Sequence, residues 1–276
     1  MKICLDAGHE RGDNPSPANP TYCEGTRMFD LQGYLKPALE RYGFEVVCTR
    51  HAVTDNPSLY ERGTAAAGCA LLLSLHSNAA GNERNDSVDY VRVYYPVSRR
   101  EEALAQLLSE TIAATMGTRQ SAQITVRWNS AHNADYYGVI RHSVAVGVTG
   151  MILEHSFHTN AQMTAWLLSD ENLKRLAEAE AAALAGYYGM TKKEEPTPEQ
   201  KEPESRASEE SELRYETLGD VSEKEYRPTV EKLIRLGLLR GKGGSGEETQ
   251  LDLGEDALRI LVMLDRAGLF DIEKRE

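Results

Sequence analysis

LLLSLHSNAA, residues 71–80, is apolar at four of its first five positions and then breaks into His76, Ser77 and Asn78. A run apolar on both faces suits a strand covered on both sides, as in sheets with helices on each face. It predicts a strand over Ala70–Leu75 with polar chemistry at its carboxyl end. Working outward, Lys2–Leu5 reads the same way and ends in Asp6-Ala7-Gly8-His9. Further strand-like runs come at Phe44–Thr49, Asp89–Tyr95 and Val148–Leu153. Between them lie helical patterns. From Thr26 to Tyr42, Leu31, Leu35, Ala38, Leu39 and Tyr42 recur at helical spacing, with Pro37 expected to bend the helix and Gly43 to stop it. Ser58–Ala67, Arg99–Met116 and Asp170–Tyr188 read as helices too. The expected fold class is α/β: an open, mostly parallel twisted sheet flanked by helices, plus a small helical C-terminal domain. Ligands of such sheets bind beyond the carboxyl ends of the strands.

The chain has 276 residues, 41% hydrophobic and 27% charged, so a wholly disordered chain is excluded. Composition breaks at 191–212, where 22 residues hold eight Glu, three Pro and no Leu, Ile, Val, Met or aromatic side chain. Nothing there drives collapse. The expected organisation is a catalytic domain over 1–190, an acidic linker over 191–212 and a second module over 213–276. A net charge of −12 argues against nucleic acid as a partner. No apolar run of about 18 residues occurs, so no membrane-spanning helix is expected. The N-terminal apolar run of three residues is too short for a signal peptide. Cys4, Cys23, Cys48 and Cys69 form no CxxC pair and read as reduced thiols.

Two strand ends finish in histidine, His9 and His76, and a third presents Glu154. Glu24 sits in a Gly- and Pro-flanked loop before the first long helix, within reach of the same sheet edge. Three N/O ligands with one open position are what a catalytic zinc needs, because water must occupy the fourth site. Singly, each residue has an ordinary explanation as a loop histidine or a helix-capping carboxylate. The spacing is also unlike the HExxH helix.

In order along the chain, DAGHE around His9, Glu24, GFEVVCTR (43–50), LYERGTAAA (59–67), LLLSLHSNAA (71–80) and GMILEHSFHTN (150–160) resemble the zinc-dependent N-acetylmuramoyl-L-alanine amidases of the amidase-3 type. These are cell-wall hydrolases. The resemblance implies that His9, Glu24 and His76 bind Zn2+ and that Glu154 is the catalytic carboxylate. The bond cut would be the amide joining the muramoyl lactyl group to L-alanine of the peptidoglycan stem. Ala7, Ala67, His155 and Ser156 depart from the family pattern without removing a proposed ligand. His155 is expected to support the ligands from behind or to touch substrate, Arg141 is expected to meet a stem-peptide carboxylate or to form a surface ion pair, and Cys23 is expected to be a bystander. His132, His142 and His158 have no assigned role.

LGDVSEKEYRPTVEKLIRLGLLRGKG followed by LDLGEDALRILVMLDRAG resembles one S-layer-homology repeat, a module that binds secondary cell-wall polymer. Helix, Gly241–Gly246 connector, helix is the expected build, with polymer binding and homodimer formation as competing roles. The whole is expected to be a phage or prophage endolysin, made in the bacterial cytoplasm and acting at the cell wall. A non-catalytic wall-binding protein and a zinc peptidase acting on stem peptides are the rivals.

Overall fold

The computed structural model describes residues 1–192, 214–221, 226–239, 249–266 and 270. The chain divides into two compact units, 1–197 and 198–276. All but two residues of the expected 191–212 linker, and the Gly241–Gly246 connector, lie outside the described residues.

The first unit is built on six strands: β1 (Lys2–Ala7), β2 (Glu45–Cys48), β3 (Leu71–Asn78), β4 (Arg92–Tyr94), β5 (Gln123–Thr125) and β6 (Thr149–Phe157). Their order is β2-β1-β3-β6-β4-β5, and β4 pairs antiparallel with β6 while every other pairing is parallel. The mostly parallel α/β sheet expected from the sequence is present. Side chains alternate across the strands, and both faces are covered. Leu5, Leu73, Leu75 and Leu153 pack in one layer with helices α1 (Glu24–Arg41), α3 (Glu102–Met116) and α6 (Asp170–Tyr188). Cys4, Leu72 and Ile152 face the other way, toward α2 (Leu59–Thr64) and α4 (Gly138–Ala145), where Ala66, Val139 and Ile140 meet them. Leu71, Leu72, Leu73 and Leu75 are wholly buried, each contributing about 1.5–3 kcal/mol from removal of apolar surface from water.

The helix ends have local causes. Ser58 and Glu61 form a reciprocal capping box at α2. The Ser169 side chain accepts from Asn172 N at the start of α6, and Gly189 ends that helix at φ 66°. Three elements had no clear sequence pattern. β5 is three residues long. Helix α4 opens on glycine, carries Val139, Ile140 and Val144, and has no side-chain cap, all against helix propensity. Helix α5 (Ala161–Leu168) is set off from α6 by Ser169 alone.

The second unit contains the two expected helices, α7 (Arg227–Arg235) and α8 (Glu255–Arg266). It also contains an antiparallel ribbon, β7 (Arg214–Thr217) with β8 (Gln250–Gly254), that a purely helical expectation omits. Tyr215, Leu218, Val230, Leu251, Leu258 and Val262 form its core. The strands are only four and five residues long, so their alternation is easily absorbed into helix flanks.

Candidate metal centre

Strand β1 runs straight into Gly8 and His9. Gly8 is required by close packing, since a Cβ there would stand 2.2–2.6 Å from three atoms of the His76 ring. His9 adopts a left-handed φ of 61°. Two buried arginines hold this turn through backbone carbonyls. Arg62 donates Nη1 to Ala7 O and Nη2 to His9 O, while Arg50 donates Nη1 to Gly8 O and Gly25 O. Arg62 also pairs with Asp6 at 2.7 Å, and Asp6 accepts from Ser74 Oγ on the adjacent strand.

The structure brings His9, Glu24 and His76 together, with one ligand atom from each lying within 4.8 Å of the others. Glu24 is the first residue of α1, with Cys23 as its N-cap, rather than part of the preceding loop. It is 2% exposed. Its Oε1 accepts from Ser77 N at 3.0 Å and lies 2.9 Å from His76 Nδ1 and 3.5 Å from His9 Nε2. Its Oε2 accepts from Asn14 Nδ2 at 2.8 Å, and the same amide nitrogen is 3.1 Å from His9 Nε2. On the far side of the ring, His76 Nε2 is 3.2 Å from Ser74 Oγ. Burial opposes ionisation of both Glu24 and His76, but their mutual contact outweighs it. The carboxyl is therefore held below its ordinary range and the imidazole above. Burial lowers His9, favouring the neutral ring that ligates a metal. Cys23 does not join this group.

Glu154 stands beside His76 in register across β3 and β6. Desolvation is the main influence on it and raises its carboxyl to about 7. Its Oε2 is buried with no hydrogen-bond partner among the described residues. Two imidazoles and a carboxylate with no fourth protein ligand among the described residues form the donor set of a hydrolytic zinc site. The orphaned Glu154 oxygen next to it is a proton acceptor without a protein donor. The residues present fit the ion. His9 and His76 line a cleft of about 260 Å³ with Asp6, Asp13, Arg62 and Val139.

Of the two roles expected of His155, the structure has it behind a ligand, at the His76 backbone, and not at substrate. It is wholly buried, with Nδ1 2.8 Å from His76 O and Nε2 2.9 Å from Glu180 Oε1 on α6, so neither nitrogen can reach substrate. Successive strand residues face opposite sides, and the neighbour of Glu154 points into the α6 layer. Arg141 holds backbone carbonyls rather than the surface ion pair that is one of its two expectations. Its Nη1 donates to Asp135 O and Tyr136 O, bracing the turn before α4, and it is absent from the lining of the cleft. His132 stacks near Trp128, and His142 packs edge-on against Tyr60. His158, by contrast, lies next to the centre. Its Nδ1 is 2.9 Å from Ser77 Oγ and 3.9 Å from Glu24 Oε2, and Tyr22 stacks on its ring. Its only signal in the sequence was proximity to Glu154.

An α/β sheet edge that gathers two histidines, a buried carboxylate and a desolvated glutamate has the residue set of a hydrolase site that could hold a metal. Residues 3–186 match the family described as N-acetylmuramoyl-L-alanine amidase, and the chain belongs to that family. No curated protein matches it. Among solved structures it is similar to the catalytic domain of CwlV, an N-acetylmuramoyl-L-alanine amidase from Bacillus (Paenibacillus) polymyxa, with 21% identity and a TM-score of 0.57. That match covers 69% of this chain and 99% of the other. It is similar also to the amidase AmiC2 of Nostoc punctiforme, with 21% identity, a TM-score of 0.56 and coverage of 68% and 97%. The match to Cwp6 from Clostridium difficile, with 22% identity and a TM-score of 0.57, covers 67% of this chain and 29% of Cwp6. At these identities the likeness establishes the fold.

Proposed function

We propose that the chain hydrolyses the amide between the N-acetylmuramoyl lactyl group and L-alanine of peptidoglycan stems, using zinc held by His9, Glu24 and His76. The observation that carries this reading is the convergence of those three side chains beside Glu154 in a chain of the amidase family. When bound, the ion supplies Lewis-acid polarisation of a carbonyl and a water acidic enough to attack at neutral pH. Glu154 does the proton work. A carboxyl poised at about 7 takes the proton of the attacking water and returns it to the departing nitrogen, so that a neutral amine leaves rather than an amide anion. Asn14 and Ser77 N fix the two oxygens of Glu24, while Ser74 fixes the rear of the His76 ring. Neighbours of this kind set ligand orientation.

A lysis role of the endolysin type is the setting we assign, supported by the modular build of a hydrolase unit followed by an acidic stretch and a second compact unit. Exposed Ile260 and Met263 on α8 support a docking role for that second unit, toward wall polymer or another copy of the chain. The test is incubation with isolated peptidoglycan and identification of the new termini. N-terminal alanine that disappears with a chelator and returns with zinc is the expected product. Termini farther along the stem would make the chain a peptidase instead.

A further inference from the structure

The last three residues of β3 are His76, Ser77 and Asn78, and the carbonyl oxygen of each meets a donor from β6 or from the residue that follows it. His76 O lies 2.8 Å from His155 Nδ1, Ser77 O lies 3.1 Å from His158 Nδ1, and Asn78 O accepts from His158 N at 2.8 Å. The two side-chain contacts fall where the ladder is irregular. His76 is in register with Glu154 and Asn78 with Phe157, so two steps along β3 are matched by three along β6. The extra residue is a bulge, which locally disrupts ladder pairing and bends its strand. Ser156 takes it up at a left-handed φ of 58°, a conformation uncommon for residues other than glycine. It is wholly buried, and its Oγ donates to Asp89 O at 3.0 Å.

A carbonyl oxygen only accepts, so both contacts place a proton on Nδ1. Each ring is held from its other sides as well. His155 Nε2 is 2.9 Å from Glu180 Oε1 in the α6 layer, and both side chains are wholly buried. The His158 ring is 4% exposed, and Tyr22 stacks on it. Tyr22 Oη is 2.6 Å from Ser77 Oγ, which is itself 2.9 Å from His158 Nδ1. Neither imidazole lines the cleft that holds His9 and His76. Both act on backbone.

We infer that His155 and His158 are positioning residues whose Nδ1–H groups staple the end of β3 across the bulge in β6, fixing His76 directly and Glu24 through the Ser77 amide. The inference rests on the metal-centre reading for what is being positioned. His76 projects from a backbone whose carbonyl is gripped by a ring braced against α6. Glu24 Oε1 accepts from Ser77 N at 3.0 Å, and the carbonyl of that same residue is gripped by His158. Two of the three proposed ligands therefore depend on a stretch where the ladder itself is interrupted. Glu154 immediately precedes His155, so the same brace sets how the proton acceptor stands beside His76. His155 and Ser156 both depart from the family pattern, so the family motif does not supply this brace.

Asparagine and glutamine each reproduce one imidazole nitrogen. The amide nitrogen of asparagine is bonded to Cγ, as Nδ1 is, and that of glutamine lies one bond farther out, as Nε2 does. His155→Asn, His155→Gln, His158→Asn and His158→Gln are made singly in the full chain, and zinc affinity is measured by competition with a chromophoric chelator. We expect the asparagine variants to stay within about threefold of the parent and the glutamine variants to lose about 10–100-fold, the usual cost of removing a ligand's support. A merely structural role for His155 lies in its pair with Glu180, which glutamine keeps, so it would favour the opposite order. Glutamine variants with parental affinity, or asparagine and glutamine variants weakened alike, would overturn the assignment. The parent chain gives a second readout that no variant's folding can obscure. Its nitrogen-15 spectra should show a proton on Nδ1 of both rings and slow exchange of the Ser77 amide; a bare Nδ1 in either ring would overturn the staple too. The two readings fail separately. A parent that binds no zinc sinks the metal reading while the spectra still decide the staple, and tight zinc binding indifferent to all four substitutions sinks the staple alone.

Discussion

Replacing Gly8 by alanine should disable the centre without replacing any proposed ligand. The new Cβ would sit 2.2 Å from His76 Cε1, 2.4 Å from Nε2 and 2.6 Å from Nδ1, where ordinary contact begins at 3.4 Å. Something must retreat by roughly 1 Å. The backbone is poorly placed to do so, because Gly8 N donates to Leu75 O and Gly8 O accepts from buried Arg50. The His76 ring yields instead, and with it the 2.9 Å contact to Glu24. Misplacing a positioned reacting group by about 1 Å costs on the order of 10²-fold in rate. Disturbing a ligand's support costs about 10–100-fold in metal affinity. We therefore expect Gly8→Ala to fold, to lose zinc affinity by about that factor in competition with a chromophoric chelator, and to release alanine about 10²-fold more slowly. A folded variant with both quantities within about threefold of the parent would show that the turn does not hold His76 in place.

The other expectations concern proton transfer and the packing behind the site. Glu154→Gln should retain the fold and lower turnover by about 10²–10⁴-fold, the usual worth of a general acid–base group; a smaller loss measured on the same substrate would remove Glu154 from the proton path. Glu180→Ala strands the buried His155 ring and should cost about 3–5 kcal/mol in denaturant unfolding, as breaking a buried pair does; a change below about 1 kcal/mol would mean that water reaches the gap. Burial works against ionisation of Asp89, but Arg119 and the backbone amides of Arg119 and Gln120 outweigh it and hold the carboxyl below the ordinary aspartate value. Its stabilisation is therefore complete above about pH 4, the unfolded value, and is lost as pH falls through the lower folded value. Asp89→Asn should be less stable at pH 7 by about 1.5–3 kcal/mol, the range for hydrogen bonds to a charged group, with a gap that narrows toward pH 3. A gap constant with pH would contradict this.

Most of the candidate metal centre was legible because it is built on strand ends. His9, His76 and Glu154 follow apolar runs whose parallel pairing the sequence already implied, and parallel register delivers them to one edge. The arginines of the TR and LYER segments, Arg50 and Arg62, were visible as residues, but their purpose was not. They bind the carbonyls of a turn distant in sequence, which no local pattern encodes. Substrate contact by His155 fails because adjacency in sequence means opposite faces on a strand, so its partners are Glu180 and the His76 carbonyl. Nothing in the sequence sets Glu180 apart from the other acids of α6. Helix α4 escaped because its sequence is poor in helix formers and its stability comes from packing on α2 and β6. The β7–β8 ribbon escaped because strands of four or five residues scarcely establish a period.

The most direct test of the account is to measure bound zinc and alanine release together on one set of proteins: the parent chain, His9→Ala, Glu24→Ala, His76→Ala and Glu154→Gln. The account predicts about one zinc per chain in the parent and in Glu154→Gln, as expected for a single His2Glu site, weak or no binding in the three ligand variants, and alanine release from the parent alone. Full zinc occupancy in all three ligand variants, or undiminished alanine release from the Glu154→Gln protein, would contradict it.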